Sequence, residues 1–146
     1  MFENLTFQQI DYGSNRYHEI CDLRNHILRR PIGLNLFDQD LSAEVDSWHF
    51  AMIDGDRVIA YLMITPIDGH VCKLRQMLVV EDCRGQGIGR TLVQTVENLL
   101  NRKGLRTVTM SARESAAEFY VKLGYDQISQ PFMEIGIPHV TMEKRL

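Results

Sequence analysis

An apolar run, a glycine-rich turn and an amphipathic segment follow one another without a break from Lys73 to Lys103, and no other stretch constrains the fold as much. Met77, Leu78, Val79 and Val80 read as a buried strand. Arg84-Gly85-Gln86-Gly87-Ile88-Gly89 follows, and then Ile88, Leu92, Val93, Val96, Leu99 and Leu100 recur at helical spacing. Lys103 and Gly104 close the helix with a cation and a glycine. Glycines at alternate positions let the backbone turn sharply and come close to a ligand. The first N–H groups of the helix lack intrahelical partners, and its dipole favours negative charge there. Arg84 adds a fixed cation with a fork of donors. The turn therefore predicts a seat for a phosphate or pyrophosphate.

Two common phosphate loops do not fit. The dinucleotide fingerprint requires glycine at position 90, which is Arg90, and the ATP-type loop requires Gly-Lys-Ser/Thr, whereas Gly89 is followed by Arg90 and Thr91. Arg84-Gly85-Gln86-Gly87-Ile88-Gly89 instead resembles the pyrophosphate loop of the GCN5-related N-acetyltransferase (GNAT) family, Gln/Arg-x-x-Gly-x-Gly/Ala. In that family the loop holds the pyrophosphate of acetyl-coenzyme A. The resemblance implies that Arg84, Gly85, Gln86, Gly87, Ile88 and Gly89 bind the coenzyme.

Length and composition suit one domain over residues 1–146, with 45% hydrophobic and 24% charged residues. A formal charge of −3 argues against nucleic-acid binding through a basic surface. No apolar run approaches the ~18 residues of a membrane span, and the N-terminus does not read as a signal peptide. Cys21, Cys72 and Cys83 are odd in number and share no metal-ligand spacing. They read as reduced thiols in a cytoplasmic protein without a metal. Cys83 reads as a packing residue.

Leu5 to Ile10 alternates as a strand, Ser14 suits a helix N-cap, and a helix is expected to about Arg30, stopped by Pro31. Arg24, Arg29 and Arg30 lie in its C-terminal half, either as a solvated helix end or as substrate or coenzyme contacts. Ser42 to Asp46 reads as a short helix capped by Ser42. Asp38 and Asp40 are candidates for binding a cationic amine, or are simply solvated. Strands are expected at 49–53, 57–67 and 70–80, joined by Asp-Gly turns. A strand at 107–110, a helix at 114–123 and a final β region complete the chain.

Ala116-x-x-Phe119-Tyr120-x-x-Leu123-Gly124-Tyr125 is similar to a second stretch of the GNAT family, in which the tyrosine matching Tyr120 lies near the thioester sulfur. One departure is Arg113, where many members carry asparagine. The resemblance implies an α/β (α+β) fold: a mixed, mostly antiparallel central sheet flanked by helices, with splayed fourth and fifth strands. The pyrophosphate loop would precede the third main helix. It further implies that Met77, Leu78 and Val79 offer free strand-edge groups to pantetheine, and that the acetyl group moves directly to an amine through a tetrahedral intermediate. Tyr120 is the candidate general acid, with core packing as the alternative. Glu134, directly or through water, is the first candidate base and His139 the second, each alternatively a structural residue. His18, His26, His49 and His70 show no catalytic or metal spacing. The acceptor would be a primary amine of a small molecule or peptide. A binding-only acyl-CoA sensor, or a phosphate-binding scaffold unrelated to coenzyme A, are the other readings. Homodimers are common in the family, but no stretch marks an interface.

Overall fold

A computed structural model describes residues 4–146. The strands β1 (Leu5–Ile10), β2 (Trp48–Asp54), β3 (Arg57–Pro66), β4 (Val71–Val79), β5 (Thr107–Arg113), β6 (Asp126–Gln127), β7 (Phe132–Glu134) and β8 (Ile137–Arg145) form one sheet. Its order is β1-β2-β3-β4-β5-β8-β6, with β7 on β8. Every pairing is antiparallel except β4 with β5. The α-helices are α1 (Asn15–Arg24), α2 (Ile88–Arg102) and α3 (Ala117–Lys122).

Helices cover both faces. Ile88, Leu92, Val93, Val96 and Leu100 of α2 pack on one face with Phe50, Leu62 and Leu74. Tyr17, Ile20 and Cys21 of α1 pack on the other with Ala51, Tyr61, Met63 and Leu78. This two-sided cover explains why β3 is almost continuously apolar. The apolar stripe of α2 therefore meets an apolar stretch of the sheet, and its one buried acid, Glu97, is satisfied by Lys144 of β8 at 3.0 Å and Tyr125 Oη at 2.7 Å.

Three expectations are corrected. The first helix is α-helical only to Arg24; Asn25–Arg29 forms a π-helical turn and Arg30–Ile32 a 3₁₀ turn. Asn25 is held there because its Oδ1 accepts the Leu36 N–H at 2.8 Å. Ser42 does not cap Ser42–Asp46, which is 3₁₀; instead Asp40 Oδ1 accepts the Ser42 N–H at 2.9 Å. Because that segment is not an α-helix, the glycine loop precedes the second α-helix rather than the third. Ser14 does cap α1, accepting from the Tyr17 N–H at 3.1 Å.

β4 and β5 pair only through Val71–Lys73 and Thr107–Thr109, and then part. Near the fork β4 carries an extra residue against β3, since Tyr61 pairs with Leu78 but Met63 with Arg75. Gln76 lies in this bulge at φ 58°, a left-handed value seldom adopted by a residue with a side chain.

Candidate active site

Where β4 and β5 separate, a cavity of about 620 Å³ opens between Leu74, Arg75, Gln76 and Met77 on one side and Met110, Ser111, Ala112 and Arg113 on the other. Tyr120 of α3, and Glu134, Ile135 and His139 from the β7–β8 hairpin, also line it. Met77, Tyr120, Glu134 and His139 are thus brought to one space. Leu78 turns its side chain to the opposite core, and Val79 does not reach the cavity.

The glycine loop lies at the C-terminal end of β4. Gly85 and Gly87 have φ of 76° and 81°, which glycine adopts without strain. Among the described residues, the N–H groups of Gly85, Gln86 and Gly87 find no backbone hydrogen-bond acceptor. Space beside Gly87 is open, with nothing within 4 Å of an added Cβ. Gly89 also serves packing, because a Cβ there would lie 3.2 Å from Met77 Cε and from Val79 Cγ2. The third glycine therefore lets α2 approach β4. Arg84 Nε donates to the Val79 carbonyl at 2.9 Å, which orients the guanidinium. That bond takes up one acceptor position of the Val79 carbonyl. Nearby, Cys83 is buried and its thiol pKa is pushed up by that burial, so it is a neutral packing group.

Tyr120 is 5% exposed. Burial alone drives its phenol pKa far up, and no hydrogen bond contributes. The hydroxyl therefore stays protonated and able to donate at neutral pH. His139 is buried, and its Nδ1 donates to the Ile137 carbonyl at 2.9 Å. That bond leaves Nε2 facing Glu134 Oε2 at 3.6 Å. The hairpin turn between them is Ile135-Gly136, with φ of 47° and 80°. Two positive φ values suit a tight hairpin turn, but the first is uncommon for a β-branched residue. The strain presents Ile135 to the cavity.

Arg24, Arg29 and Arg30 have different fates. Arg30 is exposed, whereas Arg24 and Arg29 are buried and line the cavity. Arg24 makes a two-pronged pair with Glu44, both contacts 2.7 Å, and Glu44 also accepts from Tyr17 Oη at 2.7 Å. Burial pushes the Glu44 carboxyl up, but the Arg24 hydrogen bonds and charge outweigh it and hold it below its usual value. Of the two loop aspartates, Asp40 lines the cavity and Asp38 does not. Sequence spacing held no signal for the Arg24–Glu44 pair, because its members are 20 residues apart.

His49 is also buried, with Nδ1 at 2.7 Å from Tyr61 Oη and Nε2 at 2.9 Å from the Glu44 carbonyl. Burial lowers its pKa from the ordinary 6.5, against an opposing push from Glu44. Below about pH 6.5 the unfolded chain takes up a proton that the folded imidazole refuses. The stabilisation from His49 is therefore complete above that pH and is lost as pH falls towards the folded value. Urea midpoints measured from pH 7 downward should fall, and fall less in His49→Gln.

A model of the acetyltransferase (GNAT) domain matches residues 34–146. The uncharacterized Bacillus subtilis protein YyaT is 41% identical over 80 residues, 55% of this chain and 54% of its own, so the chain spans about half of that relative. A crystal structure of a candidate N-acetyltransferase from Lactobacillus plantarum superposes with a TM-score of 0.87 over 99% of both chains, at 23% identity. A GNAT acetyltransferase from Elizabethkingia anophelis with acetyl-CoA bound gives 0.72, also over 99% of both chains, at 18% identity. These two structures share the fold of this chain. The chain belongs to the GNAT family of N-acetyltransferases.

Proposed function

We propose that this protein transfers an acetyl group from acetyl-CoA to a primary amine of a small molecule or peptide. The observation that carries the reading is the fork between β4 and β5, whose cavity gathers Tyr120, Glu134 and His139 beside the glycine loop. The loop fits a pyrophosphate through its free N–H groups, the helix N-terminus and Arg84. The bound Elizabethkingia anophelis structure supports the choice of coenzyme. Bound acetyl-CoA supplies the activated acyl group.

The chain's own residues then have separate roles. The parted edge of β4 offers backbone groups to an extended ligand, as in strand addition. Tyr120 keeps its proton until a thiolate departs and then donates it. An alkylammonium has a pKa near ~10, so attack requires a proton acceptor. Glu134 and His139 form that acceptor together: the Ile137 carbonyl fixes the proton on Nδ1 of His139, and Nε2 and the Glu134 carboxylate face each other. A binding-only module needs neither group in this cavity.

Loss of the acetyl-CoA thioester, followed over a panel of primary amines, tests the reading. Amine-dependent loss with formation of the acetylated amine is expected. Tight acetyl-CoA binding without transfer to any amine would instead favour the binding-only module.

A further inference from the structure

We propose that the acceptor amine carries an oxyanion of its own, a carboxylate or a phosphate, and that Arg29 and Arg113 receive it. This deepens the transferase reading and rests on it. Arg29 is 6% exposed, yet it lines the cavity. Its Nη2 donates to Gln76 Oε1 at 3.2 Å and its Nη1 to the Leu28 carbonyl at 3.4 Å. Its Nε is buried with no hydrogen-bond partner among the described residues. Arg113, far along the chain on β5, places Nη2 2.6 Å from the same Leu28 carbonyl. Two guanidinium groups thus converge on one neutral oxygen.

Neither arginine forms an ion pair among the described residues. A buried charge without a counter-charge is costly, and a like charge beside it adds to the cost. Burial lowers the pKa of Arg29, and Arg24, Arg113 and Arg75 push it the same way, with Glu44 alone opposing them without outweighing them. Arg24 differs in being neutralised by Glu44. Lys73 and Arg75 of β4 line the same cavity and extend its positive side. The β4 bulge holds Gln76 in a strained backbone state, and that side chain fixes the Arg29 fork. An arriving oxyanion would pair both forks.

The coenzyme's pyrophosphate does not explain this charge. Its seat is the glycine loop, and no residue from Arg84 to Gly89 lines the cavity. Asp40 and Glu134 line the cavity as well and suit an ammonium. The site therefore offers groups for both ends of a zwitterionic amine.

Steady-state kinetics with saturating acetyl-CoA test this on matched probes: α- and ω-amino acids, aminoalkyl phosphates, and the uncharged amines of the same chain length. The anionic probes should exceed their uncharged matches in kcat/KM by at least about tenfold. Whether carboxylates or phosphates lead identifies the anion. Arg113→Gln should raise KM for the anionic probes by about tenfold and leave kcat nearly unchanged, with KM for uncharged amines little affected. Arg29→Gln should do the same if it folds, and the half-buried Arg113 keeps the test open if it does not. Equal or better use of uncharged amines, or an equal loss on both classes, overturns the proposal.

Calorimetric titration with inorganic phosphate and with acetate needs no turnover. Binding to wild type that Arg113→Gln loses and the exposed control Arg102→Gln keeps supports the anion site, and no binding overturns it. Acetyl-CoA binding is measured on the same samples. Phosphate binding without acetyl-CoA binding would sink the transferase reading and leave the arginine pair standing.

Discussion

Tyr120→Phe is expected to lower kcat by roughly two to four orders of magnitude and to leave acetyl-CoA affinity nearly unchanged. The substitution removes one oxygen from a ring that is otherwise buried between Phe119 and Tyr125. Packing should survive, because the hydroxyl makes no hydrogen bond that the fold would miss. What is lost is a proton held on the phenol by burial and available to a departing thiolate. Single-turnover measurements separate the chemical step from product release. An unchanged chemical rate would remove Tyr120 from the reaction and leave it as a packing residue.

Glu44→Ala is expected to cost about 3–5 kcal/mol of stability, a fall in Tm of roughly 6–20 °C. The cause is the orphaned partner rather than the lost attraction. Arg24 is 1% exposed, and without Glu44 its buried charge has no paired counter-ion. Tyr17 would lose the acceptor of its hydroxyl at the same time. Replacing Arg24 and Glu44 together by apolar residues of similar volume should restore much of the loss, since well-packed side chains often replace buried ion pairs without penalty. A Tm change of only a degree or two in Glu44→Ala would mean that the pair is not closed to solvent.

The β4–loop–α2 unit was legible in the sequence because its signals are local. Alternating glycines, an apolar run and a 3.6-residue stripe all fall within the one stretch from Lys73 to Lys103. The two Asp-Gly turns likewise announced an antiparallel β2-β3-β4 meander. The parting of β4 from β5 came only through the family resemblance, since no residue of either strand marks it. The polar side of the cavity was hidden for a different reason. Arg24 meets Glu44 across 20 residues, Arg29 meets Gln76 across 47, and Arg113 meets Leu28 across 85. Helical spacing around Arg24 and Arg29 suggested one continuous α-helix, and the π turn that re-aims Arg29 has no period of its own. Glu134 and His139 were individually visible, but their approach depends on the Ile135-Gly136 turn.

The most direct measurement is calorimetric binding of acetyl-CoA, beside 3′-dephospho-acetyl-CoA and adenosine, to wild type and Gly87→Glu. Gly87 is the N-cap residue of α2, in the left-handed region with open space beside it, so a glutamate there would place negative charge where the pyrophosphate is expected. Thermal unfolding of the variant is followed in parallel to establish that it folds. Tight binding of acetyl-CoA to wild type, no binding of adenosine alone, and loss of binding in a folded Gly87→Glu is the predicted result. No binding to wild type, or equal binding to the folded variant, would contradict a coenzyme site at this loop.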